Sequence, residues 1–288
     1  DCNMVIYFFK ERSKELIDFY DLVDGYFDKC ENTSITSNDN ELIINFDIPN
    51  FACSYRYLVT KRSRVTSMYR LNPNYMNTFM LCEIPEAIPQ FLIRYILRQV
   101  EELCTKFGFA IYHDMFDNIH EFNMFEMIAL LTKERKNYLQ EHPEVVMYPI
   151  DQDMLNEICT YQASLSELPK IVKGDVVASP YIVLKDSSNH IYFSVNWQVG
   201  LPTTFPPHLD FVHVEEEVNL VSLVPANIFY KYVDHYMYEI KDGSIDIRIK
   251  YLNEKGSNKA RKLIRKMRKY VVSAYDYEEI KLTNLIEK

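Results

Sequence analysis

The stretch that decides the fold is LNPNYMNTFMLCEIPEAIPQFLIRYILRQVEELCTKFGFAIYHD, residues 71–114. It predicts a strand over 77–84, a proline-marked turn, an amphipathic helix over about 87–107 and a buried strand over 109–113. Pro85 and Pro89 bracket the helix start, where a missing N–H is tolerated. Leu92, Ile96, Val100, Leu103 and Phe107 form its apolar stripe, and Gly108 sits where a left-handed cap belongs.

Working outward toward the N-terminus, MVIYFF (4–9) predicts a buried strand. Leu16, Tyr20, Val23 and Phe27 recur at helical spacing and predict a helix over 11–29. ENTSITSNDN (31–40) reads as a polar loop, and ELIINFDI (41–48) as a strand closed by Pro49-Asn50. FACSYRYLVT (51–60) alternates, with Cys53, Tyr55, Tyr57 and Val59 on one face. VTSMYRL (65–71) reads as its antiparallel partner. The order β-α-β-β-β-β-α-β predicts an elaborated ferredoxin-like α+β sandwich, an antiparallel sheet with helices on one face. MNTFMLCEIP (76–85), the helix that follows and KFGFAIYHD (106–114) together resemble the FtsZ-binding domain of ZipA-type division proteins. That likeness is one of fold and covers under a fifth of the chain.

Toward the C-terminus, 121–141 predicts a second long helix with Phe122, Phe125, Ile128, Leu131 and Leu139 apolar. A third follows over about 151–167, capped by Asp151. Beyond Pro169 and Gly174 the pattern becomes β-rich. PYIVLKD and HIYFSVNW flank a hairpin turn, QVGLPTTFPPH (198–208) is a proline-stiffened loop, and LDFVHVEEE and VNLVSLV read as strands. A helix over 225–237 comes next, and Ser257 or Asn258 caps a last helix reaching about 273. The expected organisation is an α+β domain over 1–120, a helical connector over 121–168 and a second, β-rich α+β domain over 169–288 with a C-terminal basic helix.

Composition removes several function classes. The 288 residues hold only six glycines, and none forms a G-x-G, P-loop or G-x-S-x-G pattern. Loops that cradle phosphates need backbone to approach the ligand, which glycine permits. A net charge of −9 does not suit a chain built wholly for nucleic acid. Cysteines at 2, 30, 53, 82, 104 and 159 show no C-x-x-C, so reduced thiols in a cytoplasmic protein are expected. No apolar run approaches the roughly 18 residues that cross a bilayer, and no motif calls for a cofactor.

Four constellations are candidates for function. His113, Asp114, Asp117 and His120 mix imidazole with carboxylate between a strand and a helix, and a polar turn explains them better than a metal or catalytic site. His208, Asp210 and His213 precede Glu215, Glu216 and Glu217, but alternation puts the two histidines on opposite strand faces. Lys259, Arg261, Lys262, Arg265, Lys266, Arg268 and Lys269 place seven cations in eleven residues with no acid, beside an apolar stripe of Ala260, Leu263, Ile264 and Met267. The sole tryptophan, Trp197, adjoins the proline loop and either closes a core edge or anchors a partner. The reading that fits best is a non-enzymatic interaction or scaffold module. It binds an acidic protein through Lys262, Arg265, Lys266, Arg268, Lys269 and Trp197. The alternatives are a metal or acid/base enzyme built on a histidine cluster, and nucleic acid or anionic membrane binding through the basic helix.

Overall fold

The computed structural model of the chain describes residues 3–15, 17–172 and 174–288. Cys2 and Leu16, each named above, lie outside the described residues. The chain forms two compact units, Asp1–Val146 and Met147–Lys288, both mixed α+β.

The first unit runs β1 (Asn3–Glu11), α1 (Phe19–Gly25), β2 (Thr33–Ser37), β3 (Glu41–Ile48), β4 (Cys53–Thr60), β5 (Tyr75–Pro85), α2 (Gln90–Phe107), β6 (Phe109–Tyr112) and α3 (Met124–Glu141). Its six strands pair antiparallel in the order β2-β3-β4-β5-β1-β6. β5 and β6 are therefore parallel to each other with β1 between them, a split β-α-β closed by α2. This is the predicted ferredoxin-like sheet with two further strands at one edge.

β1 is buried on both faces. Ile6 and Phe8 meet the helix side, where Phe8 packs on Tyr57 and Phe109. Tyr7 and Phe9 meet Leu58, Leu81 and Tyr112 on the other, closed over by Val65 and Leu71. In α2 the predicted Leu92, Ile96, Val100 and Leu103 are fully buried, joined by Ile93 and Leu97, while Phe107 is half-buried, and Gly108 ends the helix at φ 68°.

Four local expectations are corrected. The element order is as read, but one strand is exchanged. Residues 65–71 cover the sheet through a 3-10 turn at Met68–Arg70, while 33–37 form edge strand β2, where Thr33, Ile35 and Thr36 favour extension. The first helix is shorter, because β1 continues to Glu11 and Asp18 caps the helix at Tyr20 N–H. Its buried residue is Leu22, and Tyr20 is 77% exposed. In α3 the inward residues are Met127, Leu131 and Arg135, whereas Phe125 is 86% exposed. β5 carries a bulge opposite Tyr7–Phe9, with Phe79 at φ 62°.

The second unit runs β7 (Tyr148–Ile150), α4 (Gln152–Ala163), α5 (Leu168–Ile171), β8 (Ile182–Lys185), β9 (Ile191–Gln198), β10 (Thr203–Phe205), β11 (Phe211–Glu217) and β12 (Leu220–Pro225). It continues with α6 (Ala226–Val233), β13 (Tyr238–Glu239), β14 (Lys250–Leu252), α7 (Glu254–Arg261), α8 (Ile264–Met267), β15 (Glu278–Ile280) and β16 (Leu285–Glu287). A five-stranded sheet, β12-β11-β9-β8-β15, is antiparallel except for the β11/β9 pair. Smaller sheets join β10-β14-β13 and β16-β7. One face of the large sheet supplies Val195, Trp197, Val212 and Val214 to a core that also holds Phe205, Phe229, Ala260, Ile264 and Met267.

The five described cysteines are free, with Cys82, Cys104 and Cys159 buried. Burial pushes the Cys53 thiol up to about 11 and Cys104 up to about 12, which leaves both as inert thiols. No helix among the described residues is long and apolar enough to cross a membrane.

Candidate functional site

Both histidine clusters are taken up by pairwise contacts. His113 is buried, and its Nδ1 accepts from Met115 N–H at 3.1 Å. That fixes the proton on Nε2, which donates to Glu134 Oε2 on α3 at 2.7 Å. His120 donates from Nδ1 to Glu126 Oε1 at 2.8 Å and stacks on Phe116 at 4.1 Å. The two imidazoles thus fasten α3 to the turn after β6, and Asp114 and Asp117 are exposed.

The second cluster is likewise dispersed. His208, at φ 66°, pairs with Glu157. Asp210 Oδ2 accepts from Phe193 N–H at 2.9 Å, and burial raises its carboxyl. His213 Nδ1 lies 2.6 Å from the fully buried Ser194 Oγ, and burial lowers its pKa. No group of three or more histidine, cysteine or acidic side chains that could hold a metal occurs among the described residues.

The basic stretch is built differently from its prediction. Asn253, upstream of the expected cap, starts α7 by accepting from Gly256 N–H at 2.8 Å. Gly256 must be glycine, because a Cβ there would stand 2.9 Å from the Tyr236 carbonyl. Ser257 is fully buried and its Oγ accepts from Trp197 Nε1 at 3.0 Å. The helix breaks after Arg261: Lys262 N–H and Leu263 N–H bond three residues back, α8 spans one turn, and a 3-10 turn covers Arg268–Tyr270. Like charges at four-residue spacing, Arg261/Arg265, Lys262/Lys266 and Arg265/Lys269, disfavour continuing a helix through this stretch, with no acid between them.

What this segment presents is charge alone. Ala260, Ile264 and Met267 are buried in the core with Trp197. Lys262, Arg265, Lys266, Arg268 and Lys269 are all exposed. Arg268 pairs with Glu216 at 2.7 Å, Lys269 lies over Tyr270 and Lys259 over Tyr236. Arg261 folds over Gly200, where a Cβ would meet its guanidinium. Lys262, Arg265 and Lys266 have no ion-pair partner among the described residues. Lys262 also lines, with Glu254, Lys255, Asn258 and Lys259, a shallow cleft of about 400 Å³.

Trp197 stands apart from these cations. It is fully buried, edge-on to Phe229 at 5.4 Å, and it seats the segment from beneath. The alternation HIYFSVNW gave the signal for this, since Trp197 shares a face with Phe193 and Val195. Comparison with protein-family models, curated proteins and solved structures returns no match. The site therefore stands on its own chemistry.

Proposed function

We propose that the chain is an interaction module whose second unit docks an acidic protein surface on the cations of residues 255–269. The observation behind this is that Lys262, Arg265 and Lys266 are exposed and have no ion-pair partner among the described residues, although the chain is acidic overall at −9. Acids of the same chain were available to neutralise them, and only Arg268 is so neutralised among the described residues. The apolar side of the segment is buried, so it offers a membrane no hydrophobic stripe to insert. The surrounding acidic chain favours a compact acidic patch over a long polyanion, which would have to run past like charge.

The test is capture from native lysate by the wild type and by K262E/R265E/K266E, with and without nuclease, at low and high salt. The expected result is a stoichiometric protein that resists nuclease and is lost both to charge reversal and above the salt range that screens exposed charges. Capture that survives charge reversal removes the segment as the contact. Capture lost to nuclease reassigns it to nucleic acid.

A further inference from the structure

The outer side of α2 borders a cleft of about 580 Å³ in the first unit, away from the groups that seat α3. Tyr95, Gln99, Glu102 and Lys106 line it from one helix stripe. Tyr26, Phe46 and Tyr55, all buried, supply an aromatic floor, with Phe46 and Tyr55 stacked at 5.2 Å. Lys29, Glu31 and Asp47 complete the rim.

The floor has a definite hydrogen-bond polarity. Tyr55 Oη donates to Gln99 Oε1 at 2.7 Å, and Tyr57, fully buried behind it, donates to the same oxygen at 2.9 Å. Burial, and after it the Glu102 carboxylate, raises the Tyr26 hydroxyl, which stays a neutral phenol. A phenol whose proton is committed offers a neighbour only oxygen lone pairs and a negative ring face. Both attract donors and positive charge. The rim has the same sense: three carboxylates, Glu31, Asp47 and Glu102, face two ammonium groups. One of these, Lys106, already lies over the rings of Tyr26 and Phe107, 5.4 and 5.8 Å from their centroids. The chain's own ammonium thus uses the attraction that a ligand would use.

We propose that this cleft binds a small organic cation of the primary-ammonium or guanidinium class. The cation is held by the rings of Tyr55 and Tyr95, by phenol oxygens and by Glu102, beside the Tyr26 ring that Lys106 already covers. It reaches the cleft either as a free amine or as the basic side chain of a peptide.

The test titrates the full chain with agmatine, which carries both groups, and with glutarate as an anionic control, read by calorimetry and by resonance shifts of the β4 and α2 amides. A blocked arginine tripeptide separates the two sources. Saturable agmatine binding that shifts Tyr55 and Gln99, with none for glutarate, supports the site. Tripeptide binding as tight as agmatine assigns the cation to a peptide side chain, and weaker tripeptide binding assigns it to a free amine. Tyr95→Ala and Glu102→Gln, both at exposed positions, should each weaken agmatine about three- to thirtyfold without moving the melting temperature. No binding at millimolar agmatine, equal binding of glutarate, or affinity unchanged in both variants overturns the proposal.

Discussion

Two amphipathic segments, α2 in the first unit and α7–α8 in the second, bury one side alike and differ in what they leave outside. The outer side of α2 alternates in sign: Arg98 precedes Glu102, and Glu102 precedes Lys106, each by four residues. Such pairs support a helix, and α2 runs unbroken from Gln90 to Phe107. The outer side of α7–α8 carries one sign, and its helix breaks within eight residues. Charge of mixed sign along one helix side suits a concave, mixed site for a small ligand. Charge left unneutralised costs regularity and suits a broad surface of opposite sign.

The comparison breaks first at the anchors. Trp197→Ala removes the indole packed on Phe229 and leaves Ser257 Oγ without its donor. It should cost about 3–5 kcal/mol in urea unfolding followed by circular dichroism. A loss below about 1 kcal/mol would mean that the basic segment is not seated on this core. Gly108→Ala probes the end of α2 instead. At φ 68° a Cβ meets no closer neighbour than 3.9 Å, so the cost is backbone strain alone, about 1–2 kcal/mol. A neutral result would mean that the helix ends without its left-handed cap.

Within the second unit acid acts on His213, because burial lowers its folded pKa below the ordinary value of about 6.5. Between those two values the unfolded chain binds more protons than the folded one, so stability is full above about pH 6.5 and declines as pH falls through the folded value. Trp197, the sole tryptophan, reports this unit by fluorescence. His213→Gln should flatten the acid limb of its melting curve, and an unchanged limb would place the titrating group elsewhere.

The sequence was most legible where one periodicity ran into one stop signal, as in α2 and Gly108. It was least legible where partners lie far along the chain. Thr33–Ser37 carried β-branched residues inside a polar frame, and only pairing with β3 makes them a strand. Phe125 fitted a helical stripe by hydrophobicity, but the contact with α2 selected Met127, Leu131 and Arg135. The cations of 259–269 were plain in the sequence. Which of them lack an ion-pair partner among the described residues was not, since the pairing of Arg268 with Glu216 spans fifty-two residues. The α2 cleft left a trace in the spacing of Tyr95, Gln99, Glu102 and Lys106, but the second wall comes from Tyr26, Phe46 and Tyr55.

The smallest expected effect is the most discriminating. In K262E/R265E/K266E the three altered side chains lose no ion pair, because they make none among the described residues, and they relieve repulsion at four-residue spacing. Stability of the second unit should move by no more than about 0.5 kcal/mol, and toward greater stability. A cation row kept for folding would behave oppositely, with its reversal costing more than about 1 kcal/mol. If the melting temperature holds while capture is lost, the charge serves another molecule. If it falls, the row belongs with the outer side of α2, as charge balanced within its own fold.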